Sequence, residues 1–209
     1  MGAPIAALET TLNSRQGCPM KMEMKTNAAM RWPDFFVTFR MSAERLRPEH
    51  AAEIHRMHQD AEQMALLGGV RTESQTAAYM ERNLEHWRLH GFGIWMLRDL
   101  SQGQVAGRAL LRHLDLDGID EVEVGYSLHP AFWGLGLAAE VATACLDRAR
   151  DTLGLASVVA LTVPENLRSQ RVMTKVGMRF ERDIQHDGRH HVLFRTADAK
   201  SKPADLAEP

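Results

Sequence analysis

Hydrophobic positions recur along this chain with two periods, and the places where one gives way to the other outline its elements. Phe35 to Met41, rich in aromatic and β-branched residues, predicts a first strand. Pro48 then stands where a helix opens, and Ile54, Met57, His58, Ala61, Met64 and Ala65 follow at helical spacing until Gly68-Gly69. A second helix is predicted with Ser74 as N-cap, Ala77, Met80, Leu84 and Trp87 on one face, and Gly91 and Gly93 closing it. Strands at 94–98 and 104–112, joined by a turn at Asp99-Leu-Ser-Gln-Gly, precede an alternating strand at 121–128. The broadest apolar stripe is Leu137, Ala138, Val141, Ala142, Cys145, Leu146, Ala149 and Leu153, a helix stopped by Gly154. A Val- and Leu-rich strand at 157–163 and a helix over 166–176, ended by Gly177, come next. Two strands at 178–184 and 190–196 flank the hairpin turn His186-Asp187-Gly188.

Outside 34–196 the pattern lapses. Residues 1–33 hold few periodic apolar positions, a Gln-Gly-Cys-Pro break and the string Met20-Lys-Met-Glu-Met. They read as a poorly ordered N-terminal extension, with Met20, Met24 or Met30 as alternative translation starts, and the polar residues 197–209 as a flexible tail. One α/β domain remains between them. Composition agrees: 209 residues with 44% hydrophobic and 25% charged content suit one soluble domain with a single core. A net charge of −2 with scattered Arg and Lys leaves no footprint for nucleic acid. Two cysteines, Cys18 and Cys145, exclude a disulfide framework and point to a reducing cytoplasm. Apolar runs stay below the roughly 18 residues of a membrane span, so no membrane partner is expected, and Met1–Ala7 lacks the features of a signal peptide.

The chemistry concentrates at two places. After the 121–128 strand comes His129-Pro-Ala-Phe-Trp-Gly-Leu-Gly-Leu-Ala-Ala, a turn that passes through Gly134, Leu135 and Gly136 into the helix opened by Leu137, Ala138 and Ala139. A row of backbone N–H groups and a positive helix end there face one point, as a pyrophosphate requires. Gly134-Leu-Gly-Leu-Ala-Ala also satisfies the dinucleotide pattern G-x-G-x-x-G/A. That fingerprint needs its first glycine directly after the strand and an acidic residue about 20 positions on. Here at least five residues intervene, and the next strand ends late, at Val163-Pro164. A P-loop is excluded because no Gly-Lys-Ser/Thr follows. A plain strand–helix turn without a ligand is the third reading.

The second place is Asn166-Leu-Arg-Ser-Gln-Arg-Val-Met-Thr-Lys-Val-Gly-Met. Taken singly, Asn166 is as well read as an N-cap and Lys175 as a solvated charge. With the upstream loop, the stretch resembles the Asn-x-x-Ser-x-x-x-x-x-Lys-x-Gly-Phe helix of the GNAT superfamily of N-acetyltransferases, most closely its RimJ/RimL-like branch, which often reads Trp-Gly-x-Gly where this chain has Trp133 to Gly136. The resemblance covers about residues 35–196 and implies a GNAT fold, a mixed twisted sheet flanked by helices. It implies acetyl-CoA as co-substrate and transfer of its acetyl group to a primary amine, a protein N-terminal α-amine or a small molecule, by direct attack in a ternary complex. A catalytically weak acyl-CoA-binding module or sensor is the competing reading, and the sequence sets no oligomeric state.

The same resemblance assigns the donor site to Tyr126, Ser127 and Leu128 on the strand, to Gly134–Ala139 in the loop, and to Asn166, Ser169 and Arg171 on the later helix. The strands at 121–128 and 157–163 would splay apart around the pantetheine, with a bulge at Gly125, and an N–H near Leu128 would polarise the thioester. Trp133 stands where the superfamily usually has a polar residue, which leaves the phosphates to backbone groups. Met173 and Leu161 occupy the positions where relatives carry a catalytic Tyr and Glu. Ser169 is the expected partner of the leaving thiolate. Glu123, or Glu121 on the same strand face, is the expected base acting through water, with a cross-strand charge pair as the other reading of both.

Ten histidines invite a metal reading, yet His55/His58 and His86/His90 have no third ligand in sequence, so no metal is expected and a partly exposed helix face suits both pairs better. His113, His186, His190 and His191 are candidates to line the acceptor pocket, which the 66–73 segment, the second helix and the 184–190 hairpin would build. Trp87, Met80 and Cys145 are expected in the core.

Overall fold

A computed structural model describes residues 34–197; the expected N-terminal extension and all of the tail beyond Ala197 lie outside the described residues. Eight strands form one sheet in the order β1-β2-β3-β4-β5-β6-β8-β7. They are β1 (Phe35–Val37), β2 (Met41–Arg45), β3 (Ile94–Asp99), β4 (Val105–Leu116), β5 (Ile119–Leu128), β6 (Val159–Thr162), β7 (Met178–His186) and β8 (Arg189–Thr196). Five helices accompany them: α1 (Ala51–Gln59), α2 (Ala61–Met64), α3 (Glu73–His90), α4 (Leu137–Leu153) and α5 (Leu167–Lys175). Every pairing is antiparallel except β5 with β6. This is the mixed sheet flanked by helices that the resemblance implies.

Three expected elements change shape. The single strand at 35–41 is a hairpin, because Thr38 folds the chain back on Met41: its N–H donates to the Met41 carbonyl at 2.8 Å and its hydroxyl oxygen accepts from the Met41 N–H at 3.1 Å. The long first helix breaks at Asp60, whose extended backbone (φ −74°, ψ 106°) ends α1 while its carboxylate caps α2 through the Gln63 N–H at 2.9 Å. Thr72, not Ser74, caps α3, in a capping box with Gln75.

The core forms where β3 runs through the middle of the sheet. Ile94, Trp95, Met96 and Leu97 are buried in succession, as in a strand covered on both faces. Trp87 meets Trp95 edge-on and donates from Nε1 to the Ile94 carbonyl at 2.8 Å. Met80 and Cys145 are buried as expected, and burial pushes the Cys145 thiol up to about 12, so it is a packing group. No described helix is long and apolar enough to cross a membrane.

Of the histidines expected on partly exposed helix faces, His58 belongs instead to the interior, while His86 is half-buried. His86 Nδ1 contacts the Phe92 carbonyl at 2.8 Å and its Nε2 accepts from the His113 N–H at 3.0 Å, so the ring is neutral with the proton on Nδ1. His58 is fully buried. Burial holds His86 near 4 and, with help from Arg108 and Arg71, His58 near 3. Below about 6.5 the unfolded chain therefore takes up protons that the folded chain refuses, and stability falls as pH drops. The slope approaches about 1.4 kcal/mol per pH unit for each ring. Urea unfolding at descending pH should show this loss, and His86→Gln should flatten it. An unchanged slope in that variant would remove His86 from the account.

Candidate active site

The parallel contact between β5 and β6 amounts to one residue pair, Glu123 opposite Val159. Beyond it the strands diverge, leaving the last part of β5 without a partner on that side. The His129 N–H donates to Ala106 on β4, so by strand alternation the Leu128 N–H points the other way, into the gap. The expected bulge at Gly125 is absent: β4 and β5 stay in continuous register through it. Glycine there leaves room for the Leu110 side chain, which a Cβ would approach at 3.1 Å.

The gap opens into a cleft of about 630 Å³. It gathers eleven of the expected donor-site residues: Tyr126, Ser127, Leu128, Gly134, Gly136, Leu137, Ala138, Ala139, Asn166, Ser169 and Arg171. Leu135 is left out, its side chain turned to solvent. Gly134 and Gly136 take φ +74° and +79°, a left-handed turn that side chains resist. Gly136 caps α4 without any side-chain bond, so the first-turn N–H groups of Leu137, Ala138 and Ala139 have no partner within the helix and are available to an anion. Glu140 in that turn would repel one. Although burial works to raise its pKa, hydrogen bonds from Thr38 and from the Arg40 backbone and guanidinium prevail, hold its carboxyl below the ordinary value and set a cation against its charge. Arg40 also donates to the Leu135 carbonyl at 2.8 Å, bracing the loop.

Trp133 fills its unusual place as a strut. Its indole N–H donates to the Leu128 carbonyl at 2.8 Å, tying the loop to the end of β5. The Arg168 guanidinium lies over its ring at 4.8 Å and also lines the cleft. Asn166 caps α5 by accepting from the Ser169 N–H at 3.1 Å. One turn inside, Ser169 meets Tyr126: the phenol Oη lies 3.1 Å from both the Ser169 Oγ and the Ser169 carbonyl. Burial raises the Tyr126 phenol to about 12, against a smaller opposing pull from Ser169, so it stays protonated at neutral pH.

Glu123 and Glu121 do not line the cleft. Glu123 is buried and accepts from Arg112 Nε at 2.6 Å across the β4–β5 pair. Glu121 is held by two bonds from Arg195 of β8, at 2.8 and 3.0 Å. Both are the cross-strand charge pairs of the alternative reading. His113, His186, His190 and His191 also lie off the cleft; His113 and His190 pair with Asp120 and Asp183. Among the described residues no group of three or more ligating side chains could hold a metal.

Sequence reasoning missed Gln63 and Arg168. Gln63 lines the cleft from α2 and donates to Ser127 Oγ at 3.0 Å, while its own carbonyl is buried without a partner among the described residues. The Asp60–Gln63 capping pattern was the available signal for the short helix that carries it.

The profile of the acetyltransferase (GNAT) domain matches residues 40–179. The chain belongs to the GNAT acetyltransferase family. An uncharacterized protein of Bacillus subtilis is 28% identical over 126 residues, 60% of this chain and 73% of its own length. A GNAT-family acetyltransferase structure from Bordetella pertussis superposes with a TM-score of 0.69 at 25% identity, covering 79% of this chain and all of that one. The Mycobacterium smegmatis RimJ structure, solved with CoA-disulfide, shares the fold at a TM-score of 0.65 and 21% identity over 83% of this chain and 91% of its own. As a GNAT enzyme the protein is an acetyl-CoA-dependent N-acetyltransferase, and its acceptor is an amine.

Proposed function

We propose that this GNAT enzyme belongs with the RimJ/RimL-like branch and acetylates a protein N-terminus or a small primary amine by direct attack in a ternary complex. The observation that carries the reading is the convergence, within one cleft, of an unpaired β5 edge, the free amides opening α4, and the Tyr126–Ser169 hydroxyl pair. The amides of Leu137, Ala138 and Ala139 would receive the pyrophosphate, with Arg168 and Arg171 as the cations nearby. The Leu128 N–H would donate to the thioester oxygen as negative charge develops on it. Tyr126, too weak an acid at about 12 to surrender its proton outright to a thiolate near 8.5, would turn its O–H from the Ser169 carbonyl to donate a hydrogen bond to the departing sulfur, with the Ser169 hydroxyl donating to the phenol oxygen. The amine would arrive at the part of the cleft lined by Gln63 and Ser127, where the buried Gln63 carbonyl has no partner among the described residues. The base role expected of Glu123 and Glu121 is not carried into this reading, because arginines occupy both carboxylates away from the cleft. A reducing cytoplasm is the proposed compartment.

The test is thiol release from acetyl-CoA with a panel of small amines and peptides bearing free N-termini. Amine-dependent release with matching acetylated product is expected, and Ser169→Ala should lower turnover more than acetyl-CoA affinity. Tight acetyl-CoA binding with no amine-dependent release would favour the binding module instead.

A further inference from the structure

Beside the cleft lies a charged cluster that donor binding does not use. Arg108 of β4 is the cross-strand neighbour of Ser127 on β5, so their side chains share one face of the sheet. Arg108 is only 6% exposed, and its Nη1 lies 3.0 Å from Nε2 of the fully buried His58. Arg71, from the segment between α2 and α3, approaches the same nitrogen at 3.4 Å. Both guanidinium carbons lie over the Tyr79 ring, at 4.9 and 5.0 Å. His58 Nε2 can face two guanidinium groups only as an acceptor, so the ring is neutral and its Nδ1–H donates to Thr76 Oγ1 at 2.9 Å. Two positive charges therefore converge on one uncharged ring, and neither forms an ion pair with a carboxylate among the described residues.

A charge buried as deeply as Arg108 is normally paired with an opposite one, and here its charged neighbour is a second, half-exposed cation. Burial and the repulsion of Arg108, Arg82 and Arg112 all act against the charge on Arg71. The Tyr79 hydroxyl is buried without a partner among the described residues, although the cluster around it is polar. Arg71 is half-exposed, so the pair borders solvent on the Arg71 side while Arg108 lies behind it. Guanidinium forks are matched by a planar carboxylate, which would supply the missing charge and accept several of their unused N–H groups.

Resting on the acetyl-transfer reading above, we propose that the acceptor is a small amine bearing a carboxylate, with Arg71 and Arg108 binding the carboxylate while the amine lies toward Ser127 and Gln63. Arg108 and Ser127 are directly opposed across the strands, so the two ends of the acceptor are separated by a short chain.

The test compares glycine, β-alanine and γ-aminobutyrate with their primary amides, on a free-amine basis and at saturating acetyl-CoA. At least one acid should exceed its amide in kcat/KM by about tenfold or more, and Arg71→Gln should reduce that ratio to within about twofold while acetyl-CoA affinity holds. Equal use of acids and amides by the unaltered enzyme, or a preference that survives Arg71→Gln, would overturn the proposal. If peptides with free N-termini are acetylated but none of these amines is, the proposal is overturned and the transfer reading stands; if acetyl-CoA binds yet neither these amines nor the peptides are acetylated, the transfer reading fails, and calorimetric titration with succinate decides the anion site alone. Binding that Arg71→Gln abolishes supports the site, and no binding to the unaltered protein overturns it.

Discussion

Tyr126→Phe is expected to lower turnover about a hundred-fold while leaving acetyl-CoA affinity within about threefold, the range for loss of one donor aimed at developing charge. The substitution keeps the ring that packs at the base of the cleft and removes the hydroxyl that meets Ser169 at 3.1 Å. Because burial keeps the phenol protonated to about 12, the effect should be constant from pH 6 to 9, in contrast to a group titrating in that window. Ser169→Ala, which leaves the phenol in place, should cost less. Steady-state kinetics with calorimetric acetyl-CoA titrations checks both, and a Tyr126→Phe enzyme with ordinary turnover would leave the leaving group without this donor.

The largest effect on stability belongs to Gly107→Ala. A Cβ at Gly107 would stand 2.2 Å from the Ser127 carbonyl oxygen and 2.7 Å from the Leu128 Cα, both backbone atoms of the adjacent strand, and the local φ is +148°. Relief requires parting β4 from β5 where β5 enters the cleft. A loss of about 4 kcal/mol is expected, at the severe end of single substitutions. Gly118 is the control: its φ is +82° but a Cβ there meets nothing within 4 Å, so Gly118→Ala should cost about 1 kcal/mol from backbone strain alone. Chemical unfolding of the two variants reads the difference. Equal losses would mean that the close approach at Gly107 is relaxed in solution.

The parts of the site legible in the sequence are those whose chemistry is local. The Gly134–Gly136 turn, the opening of α4 and the Asn166–Ser169 step each bring their groups together within a few residues, so spacing alone conveys the geometry. The charge partners are another matter. Alternation places Glu121 and Glu123 on one face, but Arg112 and Arg195 reach them from other strands, and Arg195 lies 74 residues from Glu121. A carboxylate whose partner is invisible looks like a free base. The meeting of Arg71, Arg108 and His58 has the same character, since a loop, a strand and a helix supply one residue each. The boundary errors are different: Asp60 and Thr72 each carry a Gln three residues on, a capping signal that the apolar period alone overruns.

The lone backbone pair at Glu123 and Val159 makes the sheet two panels joined at a corner. One panel runs from β1 to β5, and the other holds β6, β8 and β7. On the proposed placement, a donor filling the wedge would replace rungs the protein does not supply for itself and so would also brace the two panels. By mass action such binding would lower the free energy of the folded chain relative to the unfolded one, so saturating donor should raise the resistance of the fold to unfolding.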